Sequence, residues 1–301
     1  VRAIFSGIIP PVSTIFDDSL QLDRNGMGKL IDSLIESGVD GLFFLGTGGE
    51  FSQMSVNERK EVAEFAVGYV NKRVPVLIGT GGTNTREIIA LNHHANETGA
   101  DAVVIINPYY WNITEANLLE HYGEIAENTE LPILLYNFPN LTGQDLSPEI
   151  VLQLVEKHPN IVGIKETVDT AGHIREMILK VKGKYPHFSV LAGFDDHLLN
   201  TLALGGDGAI SASGNFAPEL TVGIYKAFQE KDFDTAMELH RRLSYLPLLY
   251  KLDSPFVNVV KEAIRLTGVD ISAAVLPPAR LLSEDKKQQL SEILKQAGLL
   301  K

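Results

Sequence analysis

An α/β fold, a (β/α)8 barrel of the TIM type followed by a C-terminal helical extension, is what the apolar patterning of this 301-residue chain predicts. Eight strand-sized apolar runs recur along the first two-thirds of the chain. Each is followed by a polar or glycine-rich turn and then a longer amphipathic stretch. The runs do not alternate strictly between apolar and polar residues, which suits parallel strands buried on both faces. After about residue 217 only helical spacing remains.

The expected strands are Gly7–Val12, Gly41–Leu45, Val74–Ile78, Ala102–Ile106, Pro132–Tyr136, Ile161–Lys165, Ser189–Ala192 and Gly208–Ser211. Helix starts between them are signalled by Ser55 with Glu58 three residues on, by Asn84 before Glu87, and by Ser147 ahead of Pro148. A weak repeat, Gly38-Val-Asp-Gly, Gly99-Ala-Asp-Ala and Gly206-Asp-Gly-Ala, ends helices and launches strands, glycine supplying the left-handed turn. Helices are expected over Thr221–Glu230, Asp234–Leu246, Pro255–Leu266 and Glu284–Leu294. The division follows: residues 1–220 form the barrel and 221–301 the extension. A doubly wound open sheet is the competing architecture, but Gly46-Thr-Gly-Gly-Glu-Phe and Gly79-Thr-Gly-Gly-Thr-Asn both miss the last glycine of a dinucleotide fingerprint.

Composition narrows the partners. The net charge is −12 with no block of basic residues, which argues against nucleic acid and toward a small molecule. No apolar run approaches the length of a membrane span, and the first residues, interrupted by Pro10 and Pro11, do not read as a targeting segment. With no cysteine the chain is compatible with a reducing compartment, so a soluble cytoplasmic protein is expected.

In a barrel of this class the active site lies at the C-terminal ends of the strands. Lys165 closes one of them, and desolvation there would lower its pKa from about 10.4 toward 7–8, freeing a nucleophilic amine. A lysine whose stem packs on the rim with its head in water is the bland alternative. Tyr136 closes the preceding strand, so the two side chains can converge, with the phenol passing protons or merely capping the core. The turn Gly46-Thr-Gly-Gly can cradle a carboxylate on backbone N–H groups with Thr47 orienting it, or can be a tight turn only. Tyr109 and Tyr110 add aromatics at the same rim or form a subunit contact. His93 and His94 have the wrong spacing for a metal, and Asp195-Asp196-His197 reads as turn and helix-start chemistry; no metal site is expected.

Together these motifs make the chain resemble the dihydrodipicolinate synthase/N-acetylneuraminate lyase superfamily of pyruvate-dependent class I aldolases over essentially its whole length. The matching stretches are Gly46-Thr-Gly-Gly-Glu, Tyr136-Asn-Phe-Pro-Asn-Leu-Thr-Gly, Gly163-Ile-Lys-Glu, Gly193-Phe-Asp-Asp and Gly206-Asp-Gly-Ala-Ile-Ser. Pro108-Tyr-Tyr-Trp, Gly143-Gln-Asp-Leu and Ile210-Ser-Ala-Ser-Gly-Asn-Phe-Ala-Pro are most similar to its 2-keto-3-deoxygluconate aldolases.

The resemblance implies Lys165 as the Schiff-base lysine and Tyr136 as the proton-transferring tyrosine. Thr47 and Tyr110 match its relay partners, Tyr110 reaching across a dimer interface. Gly48, Gly49, Ile210 and Gly193 fall where pyruvate is contacted. It further implies a homotetramer built as a dimer of dimers and no cofactor beyond the covalent lysine imine. Two departures stand out. Leu141 replaces the arginine that binds the aldehyde's carboxylate in true synthases, and Gly48 replaces a hydroxyl residue. The expected activity is cleavage of a 2-keto-3-deoxy sugar acid to pyruvate and glyceraldehyde. A dehydratase outcome, a synthase-type condensation and a non-catalytic keto-acid-binding barrel are the alternatives.

Overall fold

Eight parallel strands run in the order β1-β8-β7-β6-β5-β4-β3-β2 in the computed structural model, which describes residues 3–301. They are β1 (Gly7–Ile8), β2 (Leu42–Phe44), β3 (Val76–Gly79), β4 (Ala102–Ile106), β5 (Ile133–Asn137), β6 (Ile161–Glu166), β7 (Ser189–Ala192) and β8 (Gly208–Ala209). Every strand residue is buried, as the unalternating runs anticipate. The sheet curls until its two ends meet: Phe43 N–H donates to Pro10 O at 3.0 Å and Val12 N–H to Phe43 O at 2.7 Å. An open doubly wound sheet is therefore excluded.

The first and last strands are shorter than expected. Pro10 and Pro11 have no N–H to give, so the regular ladder of β1 stops at Ile8 instead of Val12. At β8 the ladder stops at Ala209, and the chain turns into a 3-10 segment, Ala212–Asn215. Asn215 substitutes for the missing rungs, accepting from Ser13 N–H and donating to Pro11 O. β5 and β6 each run one residue further than expected because Asn137 and Glu166 still pair in register.

Ser55 and Glu58 form a reciprocal capping box, and Ser147 caps the helix that opens at Pro148. Gly38 and Gly99 take the left-handed turn, but at the third repeat Gly205 does so, not Gly206. Gly206 N–H instead closes onto Thr201 O at 2.8 Å, one residue past the left-handed position.

Beyond β8 the elements are helical: Pro218–Gln229, Phe233–Leu243, a 3-10 turn Leu246–Lys251, Val257–Leu266 and Glu284–Gln296. The helix expected to reach Leu246 ends at Leu243, since the ring of Pro247 would collide with the carbonyl four residues back. Leu220, Val259, Ile264 and Leu290 from these helices join the same apolar core as the strands. No helix among the described residues is long and apolar enough to cross a membrane.

A fully buried ion pair ties this helical part to the barrel rim. Lys261 pairs with Glu50, which also accepts from Leu276 N–H at 2.7 Å, while Lys261 donates to Ala274 O at 2.7 Å. Removing one partner strands the other charge in a dry site, so Lys261→Met is expected to destabilise the fold by about 3–5 kcal/mol. Denaturant unfolding measures it; an unchanged midpoint would show that the pair is idle.

Candidate active site

Parallel pairing of β5 with β6 places Tyr136 directly opposite Lys165, so both side chains project into the same closed interior. They line a cavity of about 230 Å³ at the C-terminal mouth of the barrel. Thr47 opens the 3-10 turn Thr47–Gly49 after β2, and its hydroxyl lies 3.1 Å from the Tyr136 hydroxyl. The turn is held from behind by Glu50, which takes a left-handed φ of 63° and is anchored by Lys261 and Leu276.

Lys165 is 4 % exposed. Burial lowers its pKa to about 7, against the field of Asp195, which favours the ammonium. Its Nζ stands 4.1 Å from the centre of the Tyr136 ring and 5.4 Å from that of Phe43. Burial pushes the Tyr136 phenol up to about 12, with hydrogen bonds to Thr47 and Thr167 pulling the other way. The cavity thus holds a neutral phenol beside an amine of which about half is free at neutral pH.

The backs of the two strands are braced by a separate polar cluster. Asn137 donates to Asp145 at 2.7 Å, and the His173 ring sits between Asp145 at 3.0 Å and Glu166 at 3.2 Å. Burial opposes the imidazolium, but the two carboxylates outweigh it and raise its pKa to about 10. Because Asn137 and Glu166 are the next residues after Tyr136 and Lys165, this cluster fixes the strand ends that carry those two side chains.

Gly48 and Gly193 also line the cavity. A side chain at Gly193 would place its Cβ 2.0 Å from Thr167 Oγ1, so only glycine fits there, whereas a Cβ at Gly48 would meet nothing nearer than Pro11 O at 3.9 Å. The hydroxyl residue replaced by Gly48 therefore leaves open space. Gly49 is turned away from the cavity: its N–H closes onto Gly46 O and its carbonyl accepts from Thr14. The orphan donors of a 3-10 turn are its first amides, which points to Thr47 and Gly48 N–H for an anion. Ile210 is fully buried with its N–H on Ala192 O, and Ala212, two residues on, forms the wall instead. Tyr110 lies outside the cavity, 91 % exposed, beside an exposed Trp111.

Several wall residues escaped the sequence reading. Thr167 follows Lys165 by two, the spacing that returns a side chain to the same face, and could have been found that way. Asp195 opens the 3-10 turn Asp195–His197, as its motif implies, and is in addition 2 % exposed in the cavity wall. Tyr250 and Phe256 arrive from the C-terminal helical part and carry no local signal.

A profile of the dihydrodipicolinate synthetase family matches residues 4–297. The chain belongs to that family. It is 57 % identical over 297 residues to "Putative 2-dehydro-3-deoxy-D-gluconate aldolase YagE" of Escherichia coli K12, covering 99 % of this chain and 98 % of that protein. It is 52 % identical over 296 residues to "Probable 2-dehydro-3-deoxy-D-pentonate aldolase YjhH" of the same organism, covering 98 % of each. The crystal structure of YagE in complex with pyruvate superposes with a TM-score of 0.98 over 99 % of this chain and all of that one. Family membership makes this chain an enzyme, a carbon–carbon lyase.

Proposed function

We propose that the protein is a class I aldolase that cleaves a 2-keto-3-deoxy sugar acid, such as 2-keto-3-deoxygluconate, to pyruvate and glyceraldehyde. The observation that carries this reading is the convergence of Lys165, Tyr136 and Thr47 in one buried cavity, with the amine already shifted to about 7. The aldolase names of the two relatives and the pyruvate bound to one of them support it.

The neutral amine adds to the C2 ketone, and loss of water leaves an iminium that accepts electrons as C3–C4 breaks. Tyr136, its own proton passed out through Thr47 once the iminium forms, takes the C4 hydroxyl proton as the phenolate in cleavage and returns it in condensation. Burial alone opposes its phenolate; the iminium, formed where Nζ now stands over the ring, offsets that cost. Thr47 carries the proton onward, and the reading places Tyr110 of a neighbouring subunit next in the relay, in a homotetramer. The amides of Thr47 and Gly48 hold the C1 carboxylate and fix the ketone for attack. The only cofactor is the covalent imine.

Among the described residues lining the cavity, Lys165 is the sole cation, and Leu141 stands at the lip, 55 % exposed. Nothing there compensates an anionic aldehyde beside Asp195. Product analysis with a panel of keto-deoxy sugar acids and aldehydes tests the proposal: pyruvate and glyceraldehyde are the expected products. Condensation with aspartate semialdehyde or a phosphorylated aldehyde is expected to be at least roughly tenfold slower than with glyceraldehyde. Formation of a dehydrated keto acid, or preference for the anionic aldehyde, would overturn the assignment.

A further inference from the structure

The burial that makes Lys165 nucleophilic works against the species it forms. Desolvation favours the free amine, but the iminium is a cation and meets the same penalty. The ring faces of Tyr136 and Phe43 beside Nζ attract a cation only weakly, and Phe138, Phe194, Phe256 and Leu141 add no charge to the wall. The wall contains one carboxylate among its described residues, Asp195, in the turn that follows β7.

Asp195 is held on both oxygens. Oδ1 accepts from Ser213 N–H at 3.0 Å and Oδ2 from the Tyr250 hydroxyl at 2.5 Å. Its field reaches Lys165 across the cavity without a direct ion pair between them. The same chain shows the other outcome at Glu50 and Lys261, where a buried carboxylate held on one oxygen only, by Leu276 N–H, closes its other oxygen onto the amine.

We propose that Asp195, held off the amine by Ser213 and Tyr250, is the fixed counter-charge of the Lys165 iminium, and that Tyr250 is the positioning residue that keeps it at that distance. The inference rests on the class I aldolase reading. In the step concerned the amine adds to C2 and the ketone oxygen leaves as water, taking one proton from the nitrogen and one from the medium. The nitrogen retains one hydrogen and the positive charge that Asp195 faces. When C3–C4 breaks, the electron pair passes to the nitrogen, the enamine is neutral, and the carboxylate is left with its two restraints. The titratable groups facing Lys165 are Asp195, Tyr136 on β5 and Tyr250 from the 3-10 turn Leu246–Lys251; Asp196 lies next to Asp195.

The test is borohydride trapping with pyruvate across a pH series, on the full-length enzyme and two variants, with thermal unfolding followed in parallel. In Asp195→Asn the acid-side midpoint of adduct formation is expected to fall by about one pH unit, while the adduct trapped at fixed pyruvate falls at least about tenfold. In Tyr250→Phe, which removes one atom, the freed carboxylate closes on the ammonium and the midpoint is expected to rise. A variant with only a packing role would lose stability and leave the midpoint in place. An unmoved midpoint or wild-type trapping in Asp195→Asn overturns the counter-charge. A midpoint that stays or falls in Tyr250→Phe overturns the positioning role. Absence of any adduct in the unaltered enzyme would instead reject the aldolase reading itself.

Discussion

Replacement of Lys165 by methionine is expected to abolish turnover, by about 10⁴-fold or more, and to leave the chain unmodified by pyruvate and borohydride. Methionine keeps an unbranched stem of similar length, so the cavity wall retains its shape, and it removes a desolvated amine instead of creating an unpaired charge. Asp195 remains hydrogen-bonded to Ser213 and Tyr250. The loss is therefore chemical and not structural, which an unchanged unfolding transition would demonstrate. In the unaltered enzyme, borohydride should add to the chain the mass of pyruvic acid less its ketone oxygen, located by peptide mapping at Lys165. The same residue is expected to set the acid limb. With a pKa of about 7 the ammonium dominates at lower pH, and the rate of adduct formation should fall roughly tenfold for each further unit. A methionine variant that turns over keto-deoxy sugars at the normal rate, or an adduct located elsewhere, would end the class I reading.

Tyr136→Phe should lower kcat by about 10²–10⁴-fold while pyruvate capture survives. The ring stays seated, since its contacts with Phe43 at 6.5 Å and Phe138 at 6.1 Å between centroids do not involve the hydroxyl. What disappears is the phenol hydroxyl and its hydrogen bond to Thr47. Iminium formation needs protons that water can still supply, whereas C3–C4 cleavage needs a base placed at the C4 hydroxyl. Single-turnover trapping and steady-state rates separate the two; equal losses in both would remove Tyr136 from its assigned role.

Both predictions rest on residues that could be picked out from their positions at strand ends. A lysine terminating an apolar run, preceded one strand earlier by a tyrosine, was enough to suggest convergence, because consecutive strands of a barrel are neighbours. The register that sets Tyr136 opposite Lys165 turns that suggestion into a contact. The Gly-rich turn was legible as an anion cradle, but not which of its amides are free. Gly49 spends its N–H on Gly46, a detail of turn geometry that composition does not encode. Glu50 passed unexplained in the sequence, since its partner Lys261 lies more than two hundred residues away and gives no local sign of being fully buried.

The chain's one-dimensional pattern determined the eight parallel strands, their intervening helices, the capping at Ser55 and Ser147, and the place of Tyr136 and Lys165 at the barrel mouth. These follow from local rules of periodicity, capping and the alternation of faces. Tertiary structure alone decided that Asn215 completes the ladder Pro10 and Pro11 interrupt, that Asp195 faces inward, and that Tyr250 and Phe256 cross from the C-terminal helices to wall the cavity. The reason is physical. A wall residue is selected by distance across a folded interior, and the electrostatics of a buried amine depend on which charges the fold brings near it and which it holds away.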